Sequence, residues 1–507
     1  MLKFFFKKQL NNLIYMQQSQ VVKRIKITDK ENQIFNTIMQ FRDETNTQSI
    51  LRVAGGWVRD KLMGNESHDI DITIDNMSGE QFVIKMKEYF ESKNIKVSGF
   101  GVTKLNPEQS KHLETACIKI FDQSIDFVNL RGETYTEQSR TPQIIVGTPE
   151  QDAFRRDLTI NSMFYNLNTQ EIEDFTNMGL QDLQNGIIRT PLDPYITFRD
   201  DPLRILRTFR FATRFNFQIV EEIINAIQQQ DIKTALQTKV SRERIGIEID
   251  WMLKSSKCYQ GLKNYHQLGF WHIIFELPKE NQHQCNVKVE NQGKYHLDSF
   301  KYLQTLQNLQ YLPNFQKIHG FESQEQLNLY LHLSSICLPY QTINYKKGKN
   351  LESAIIYIIA ESLKMPRKQT DEIYNICRLV EQFNQLKKED LKNNYRRLVN
   401  FLQDAKQLWE IIVYLDYLQE CINDQEATFQ LNENFIKFIY SQNLQEFYNA
   451  KAFIDGNEIK QIWKVEAKQI KDVKQNILIW QAMNPNGTRE DILKIIEQNK
   501  EQFMNNL

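Results

Sequence analysis

LRVAGGWVRDKLMGNESHDIDITI, residues 51–74, brings paired glycines and closely spaced acids into one short stretch. Its final part, HDIDITID at residues 68–75, alternates with period two. Asp69, Asp71, Thr73 and Asp75 fall on one side; His68, Ile70, Ile72 and Ile74 fall on the other. Three isoleucines facing a core predict a half-buried β-strand. The other face sets Asp69 beside Asp71 with no lysine or arginine between them. Burying such a pair costs on the order of several kcal/mol unless its charge is cancelled. A divalent cation does this: Mg²⁺ takes hard oxygen ligands, one or two of them protein carboxylates and others substrate phosphates. On the two aspartates alone, a solvated strand edge is the alternative.

The upstream context shifts the balance. Gly55 and Gly56 end an apolar run, and glycines there let backbone N–H groups approach a phosphate, with Arg59 adding positive charge. The helix-like VRDKLMGN then returns the chain to the aspartate strand. A phosphate cradle followed by a metal pair is the equipment of phosphoryl transfer.

A second stretch carries a different chemistry. In DDPLRILRTFRFATRF, residues 200–215, Pro202 suits a first helical position with an aspartate before it as cap. At roughly 100° per residue, Arg204, Arg207, Arg210 and Arg214 project within an arc of about 120°. No acid is interleaved after Asp201. Cytosine and adenine each present an amino donor beside a ring-nitrogen acceptor, whereas uracil and guanine reverse both. Asp201 accepting and Arg204 donating therefore fits C and A, and leaves groups unpaired against U and G. Such a pair contributes roughly 1–3 kcal/mol of discrimination, with no nucleic-acid template.

Together these segments resemble the nucleotidyltransferases related to DNA polymerase beta, in the branch that holds CCA-adding tRNA nucleotidyltransferases and bacterial poly(A) polymerases. Residues 51–74 resemble its metal-binding signature. DAFRRDLTINSMFYN (152–166) resembles the arginine-rich second motif, and EDFTNMGLQDLQNGIIRTPL (173–192) the hinge. TFRDDPLRILRTFRFATRFNF (197–217) resembles the nucleotide-recognition motif, and KVSRERIGIEID (239–250) the last one. The match spans about residues 48–252. Asp200, where bacterial members carry Glu, looks like the eukaryotic form; Asn177 stands where a glycine is common.

The resemblance implies an α+β fold: a polymerase-beta-like head with a mixed sheet and helices, then an all-α neck, body and tail. It implies template-independent addition of C, C and A to tRNA from CTP and ATP, with Mg²⁺. Asp69 and Asp71 match the metal ligands. Gly55, Gly56 and Arg59 match the triphosphate contacts. Arg156 and Asp157 match the second motif. Asp201 and Arg204 match the base-reading pair, with Arg207 and Arg210 extending the pocket. Asp126, in the alternating strand SIDFVNL, is the candidate third carboxylate, either metal-linked or the base for the attacking hydroxyl. Residues 239–248 are expected to buttress the pocket. The rivals are a poly(A) polymerase with the same head and a catalytically idle RNA-binding protein.

Bulk composition constrains less. Lysine plus arginine and aspartate plus glutamate both number 63 in 507 residues, so any nucleic-acid surface must be local. With 41% hydrophobic and 25% charged residues, the chain suits a soluble globular protein. No apolar run of about 18 residues predicts a membrane span. Six cysteines without a CxxC read as free thiols rather than a zinc site.

Five segments are expected: a leader over 1–30, a head over 31–165, a neck over 166–255, a helical body over 256–400 and a helical, tRNA-binding tail over 401–507. The leader has six lysines and arginines and no acid before Asp29, like a mitochondrial transit segment; a floppy tail is the plainer alternative. Met16 is a possible second start, and mitochondrial, cytoplasmic and nuclear locations all stay open. Residues 131–153 are polar and read as a mobile loop. After about 195 strand signals fade, and apolar spacing of three and four predicts nearly all helix. The basic clusters NYKKGKN, KMPRK, QLKK and NNYRR there are candidate phosphate contacts.

Overall fold

The computed structural model describes residues 25–67, 69–94, 97–103, 115–134, 143–278, 285–286, 289–309, 318–463 and 467–498. Most of the basic leader, Met16 and His68 lie outside them. Two compact units divide the chain, the first ending at Glu248 and the second beginning at Ile249.

The first unit opens with α1 (Asp29–Glu44), started by a capping box between Thr28 and Glu31. Then come β1 (Leu51–Ala54), α2 (Gly56–Leu62), β2 (Ile70–Ile74) and α3 (Gly79–Ser92). Strands β3 (Val97–Thr103), β4 (Thr115–Ile120), β5 (Gln123–Asn129), β6 (Arg131–Thr134) and β7 (Gln143–Val146) follow. Helix α4 (Pro149–Phe154) leads to β8 (Phe164–Asn166) and β9 (Glu171–Glu173). Seven strands form one mixed sheet in the order β3-β4-β5-β2-β1-β8-β9. Within it β2 and β5 run parallel, and the other neighbours are antiparallel.

The aspartate strand forms from Ile70, so Asp69 immediately precedes it. Ile70, Ile72 and Ile74 pack with Ile125 and Phe127 of β5, with Ile34, Ile38 and Phe41 of α1, and with Phe82, Met86 and Phe90 of α3. Each such side chain stabilises the fold by roughly 1.5–3 kcal/mol when buried. A one-residue slip would exchange Ile72 for Asp71 in that core, so the register is held firmly. A Cβ on Gly79 would lie 2.4 Å from the Phe127 carbonyl oxygen, so only glycine lets α3 start this close to β5.

Residues 131–153 depart from the loop expectation. Strand β6 pairs antiparallel with β7, and α4 follows with a capping box from Thr148 and Gln151. A ribbon is held by main-chain hydrogen bonds, which a polar sequence makes as well as an apolar one. Residues 135–142 lie outside the described residues.

The rest of the unit contains α5 (Gly179–Asn185), β10 (Ile187–Ile188), α6 (Pro194–Asp200), α7 (Leu203–Phe215) and β11 (Gln218–Ile219). Helices α8 (Glu221–Ile227), α9 (Gln230–Lys239) and α10 (Arg242–Lys254) follow, the units dividing within α10. Asn177 has φ +57°, a conformation that glycine adopts freely and asparagine tolerates, which accounts for the exchange in the hinge.

The second unit is mainly helical, including α11 (Val289–Leu309), α12 (Gln324–Cys337), α13 (Arg367–Leu386), α14 (Tyr395–Ala405), α15 (Trp409–Asn423) and α16 (Gln430–Ser441). Among the described residues a hairpin, β12 (Asn344–Lys347) with β13 (Asn350–Ser353), interrupts the helices; its turn uses Gly348 at φ +65°. Lys387 and Asp416 are fully buried and paired; Lys387 Nζ also lies 2.7 Å from Glu420 and 3.1 Å from Asn432 Oδ1. No helix among the described residues is long and apolar enough to cross a membrane. All six cysteines are free.

Candidate active site

The face of the sheet opposite the isoleucines carries the acids. Asp71 and Asp126 are Cα partners across the parallel β2–β5 pair. Both side chains therefore leave the sheet on one face, from strands about 4.8 Å apart. Cys117 is the partner of Asp126 on the β4 side, its thiol 2.9 Å from Ser124 Oγ. Asp69 is exposed at the entry to β2. Asp71 still reaches solvent, but its recessed position raises its carboxyl pKa. Arg156 opposes that rise, and the charges of Asp126 and Asp69 add to it. Thr73 is buried, and Asp75 accepts from the Ile50 N–H at 2.9 Å; the strand thus keeps two of its four outward polar residues for the scaffold.

This donor set fits a divalent cation. It offers hard carboxylate oxygens whose mutual repulsion a metal relieves. Among the described residues no three His, Cys, Asp or Glu groups form a complete cage. That suits a metal whose remaining ligands are water and substrate phosphate oxygens.

Beside the acids, Gly55 ends β1 with φ +69° and caps α2. A Cβ there would stand 2.5 Å from Arg156 Nη1, so the glycine lets that guanidinium close onto the turn. Arg156 donates to Asp152 Oδ2 through Nε at 3.0 Å and Nη2 at 2.9 Å, and lies 5.2 Å over the Phe164 ring. Asp152 also holds Arg155, through Nε at 2.8 Å.

Arg59 stands differently from the expectation. It is 4% exposed and donates to Asp60 at 2.8 Å and to Asn161 Oδ1. Its guanidinium sits 5.0 Å from the Phe211 ring and 4.9 Å from the Phe215 ring. Its charge thus lies in the wall between the glycine turn and α7.

On α7, Arg204, Arg207 and Arg210 share one side, as the helical spacing predicts, and acids from other elements meet them. Arg207 Nε donates to Asp157 Oδ2 at 2.7 Å and Arg210 Nε to Glu248 Oε2 at 2.5 Å. Burial alone would push the Asp157 carboxyl up; the charge of Arg207 and the hydrogen bond from Asn161 outweigh it and hold it far below the usual range. Arg204 Nη2 donates to the Arg155 carbonyl at 2.7 Å. Asp201 accepts from the Leu203 N–H at 3.2 Å, capping α7 across Pro202, which lies just outside the helix rather than at its first position. Arg244 of α10 grips Asp201 with two nitrogens, at 3.2 and 2.7 Å.

The fold thus places Asp71 and Asp126 on one sheet face, with Asp69 at the entry to β2 and Arg156 close enough to act on Asp71, and it gathers Asp201 and Arg204 at the start of α7. Arg207, Arg210 and Asp157 are joined in a supporting ion-pair network. Arg155 and Asn161 also hold these groups and were not singled out from sequence, whereas Arg244 and Glu248 fall in the segment 239–248 that was expected to buttress the pocket. Arg244 and Glu248 are four residues apart on one helix, the only local sign that they act together.

The Poly A polymerase head domain model matches residues 51–189. The chain is 33% identical over 494 residues to the tRNA nucleotidyltransferase cca2 of Schizosaccharomyces pombe, covering 94% of this chain and 99% of that protein. It is 34% identical over 517 residues to the mitochondrial CCA tRNA nucleotidyltransferase of Saccharomyces cerevisiae, covering 93% of each. A solved CCA-adding enzyme in complex with CTP has the same fold, with TM-score 0.60 at 20% identity over 94% of this chain and 96% of that one.

The near-full-length relatives show that this chain is a nucleotidyltransferase, an enzyme of a class that generally uses divalent metals. The chain belongs to the tRNA nucleotidyltransferase family.

Proposed function

We propose that this enzyme adds C, C and A to the tRNA 3′ end from CTP and ATP, without a nucleic-acid template. The observation that carries the reading is the in-register pair Asp71 and Asp126 on the open sheet face, next to Arg156. The tRNA 3′ hydroxyl attacks the α-phosphate in line, and pyrophosphate leaves. Asp69 and Asp71 would hold Mg²⁺, as two ions, and the metal would supply neutralisation of the charge that builds up during the transfer. Asp126 takes the proton from the hydroxyl. The Gly55–Gly56 turn admits the triphosphate backbone-first, and Arg156 offers it positive charge. Asp201 accepts from the amino group of C or A, and Arg204 donates to the adjoining ring nitrogen.

The decisive assay supplies tRNAs ending before, within and after CCA with each labelled nucleotide singly. CTP then ATP incorporation, stopping at three additions, is expected. Long A tails would make the enzyme a poly(A) polymerase, and no incorporation would make it an idle RNA binder. The acid-free basic leader and the mitochondrial relative support action in mitochondria. The assay of location is import of the full chain compared with a chain begun at Met16.

A further inference from the structure

Asp201 is held at most of its acceptor sites by groups of its own chain. An ionised carboxylate has about four lone-pair sites, two on each oxygen. Oδ1 accepts from the Leu203 N–H at 3.2 Å and from Arg244 Nη1 at 3.2 Å. Oδ2 accepts from Arg244 Nη2 at 2.7 Å. One site on Oδ2 remains. The neighbouring reader is fixed in a similar way, because Arg204 Nη2 is tied to the Arg155 carbonyl at 2.7 Å.

From this geometry we infer that Arg244 is a specificity-determining positioning residue: its two-nitrogen grip turns Asp201 so that a single acceptor faces the nucleotide beside the Arg204 donors. A single acceptor matches the one amino group on the pairing edge of cytosine or adenine. It gives the carbonyl of uracil or guanine nothing to bond. Asp201 and Arg244 are partly open, at 25% and 30% side-chain exposure, so a base can reach the pair. Arg244 also keeps the carboxylate ionised: burial would raise its pKa, and the charge and hydrogen bonds of Arg244 with the charge of Arg204 bring it below the usual range. Without that grip Asp201 can rotate, or take up a proton and become a donor that the carbonyl of uracil or guanine accepts, which removes one of the two mismatches against those bases. Lysine cannot replace the planar two-nitrogen fork.

The inference rests on the proposed nucleotide selector, and the test separates the two. Wild type, Arg244→Ala, Arg244→Lys, Asp201→Ala and the double Arg244→Ala/Asp201→Ala variant are assayed with CTP, ATP, UTP and GTP, each by kcat/KM on tRNA and by equilibrium binding. Wild type should prefer C and A. In Arg244→Ala and Arg244→Lys that preference should fall by roughly 10-fold or more, with KM for CTP and ATP rising, and the double variant should discriminate no worse than Asp201→Ala alone. A wild type without preference removes the selector itself. A wild type with preference that both Arg244 variants retain, or equal losses that add in the double variant, overturns the role of Arg244. If Arg244→Ala does not fold, the lysine variant and its thermal midpoint carry the comparison, since a purely structural role would lower stability and leave the nucleotide ratio unchanged.

Discussion

Three residues illustrate what the site asks of single positions. Asp71 is held with its carboxyl pKa raised, so its charge opposes folding while serving the chemistry. Asp71→Asn is expected to cut nucleotide incorporation by on the order of 10³-fold or more, while the thermal midpoint stays level or rises; a fall in both would point to a structural role. Asp157 has the opposite sign. Its folded pKa lies below the unfolded value, so its stabilisation is complete above an ordinary carboxylate pKa of about 4 and fades as pH falls through the folded value. Asp157→Asn should therefore cost about 1–3 kcal/mol near neutrality, and the gap from wild type should narrow in melts taken below about pH 4. Gly55 combines φ +69° with the Arg156 guanidinium 2.5 Å from a would-be Cβ. Gly55→Ala should destabilise by about 1–3 kcal/mol and raise KM for both nucleotides, because Arg156 must retreat from the turn.

At the scale of elements, β2 and α7 do different work. Strand β2 is a two-faced ribbon whose isoleucines fix the register and thereby deliver Asp71 opposite Asp126. Helix α7 turns three arginines to one side, but each meets a partner from another element: Arg155, Asp157 or Glu248. The helix is thus a scaffold clamped along its length, with the base-reading pair at its N-terminal end. In the second unit, α13, α15 and α16 are tied by the buried group of Lys387, Asp416 and Asn432. Lys387→Met leaves Asp416 without its cation and should cost about 3–5 kcal/mol, with most of that recovered in Lys387→Met/Asp416→Leu. Denaturant melts of the two variants check this; an undamaged single variant would show that the ion pair is replaceable by water.

For the molecule as a whole, charge balance is even, so polyanion binding must come from local clusters. Some of their charge is already engaged within the second unit: Lys347 pairs with Glu352 and Glu361, and Lys364 with Glu361. If the clusters act together on tRNA, affinity should fall by at least roughly 10-fold between about 50 and 200 mM salt. A flat dependence in filter binding would show that they serve solubility alone.

What the sequence determined by itself is the chemistry of short segments. Period-two alternation over residues 68–75 marked a strand with an acidic face; glycines 55 and 56 marked a close backbone approach; three-and-four spacing marked α7 and the helical second unit. These are readable because side-chain direction follows backbone geometry within a few residues. Tertiary structure alone decided which partners those faces meet. Asp126 became the neighbour of Asp71 through a parallel pairing 55 residues apart in register. Arg59, locally a free charge, was drawn into a wall of Phe211 and Phe215. The run without interleaved acids on α7 was answered by Asp157 and Glu248 from far along the chain. Ion pairs form between groups that folding brings within a few ångströms, and that distance depends on the whole fold rather than on separation along the chain.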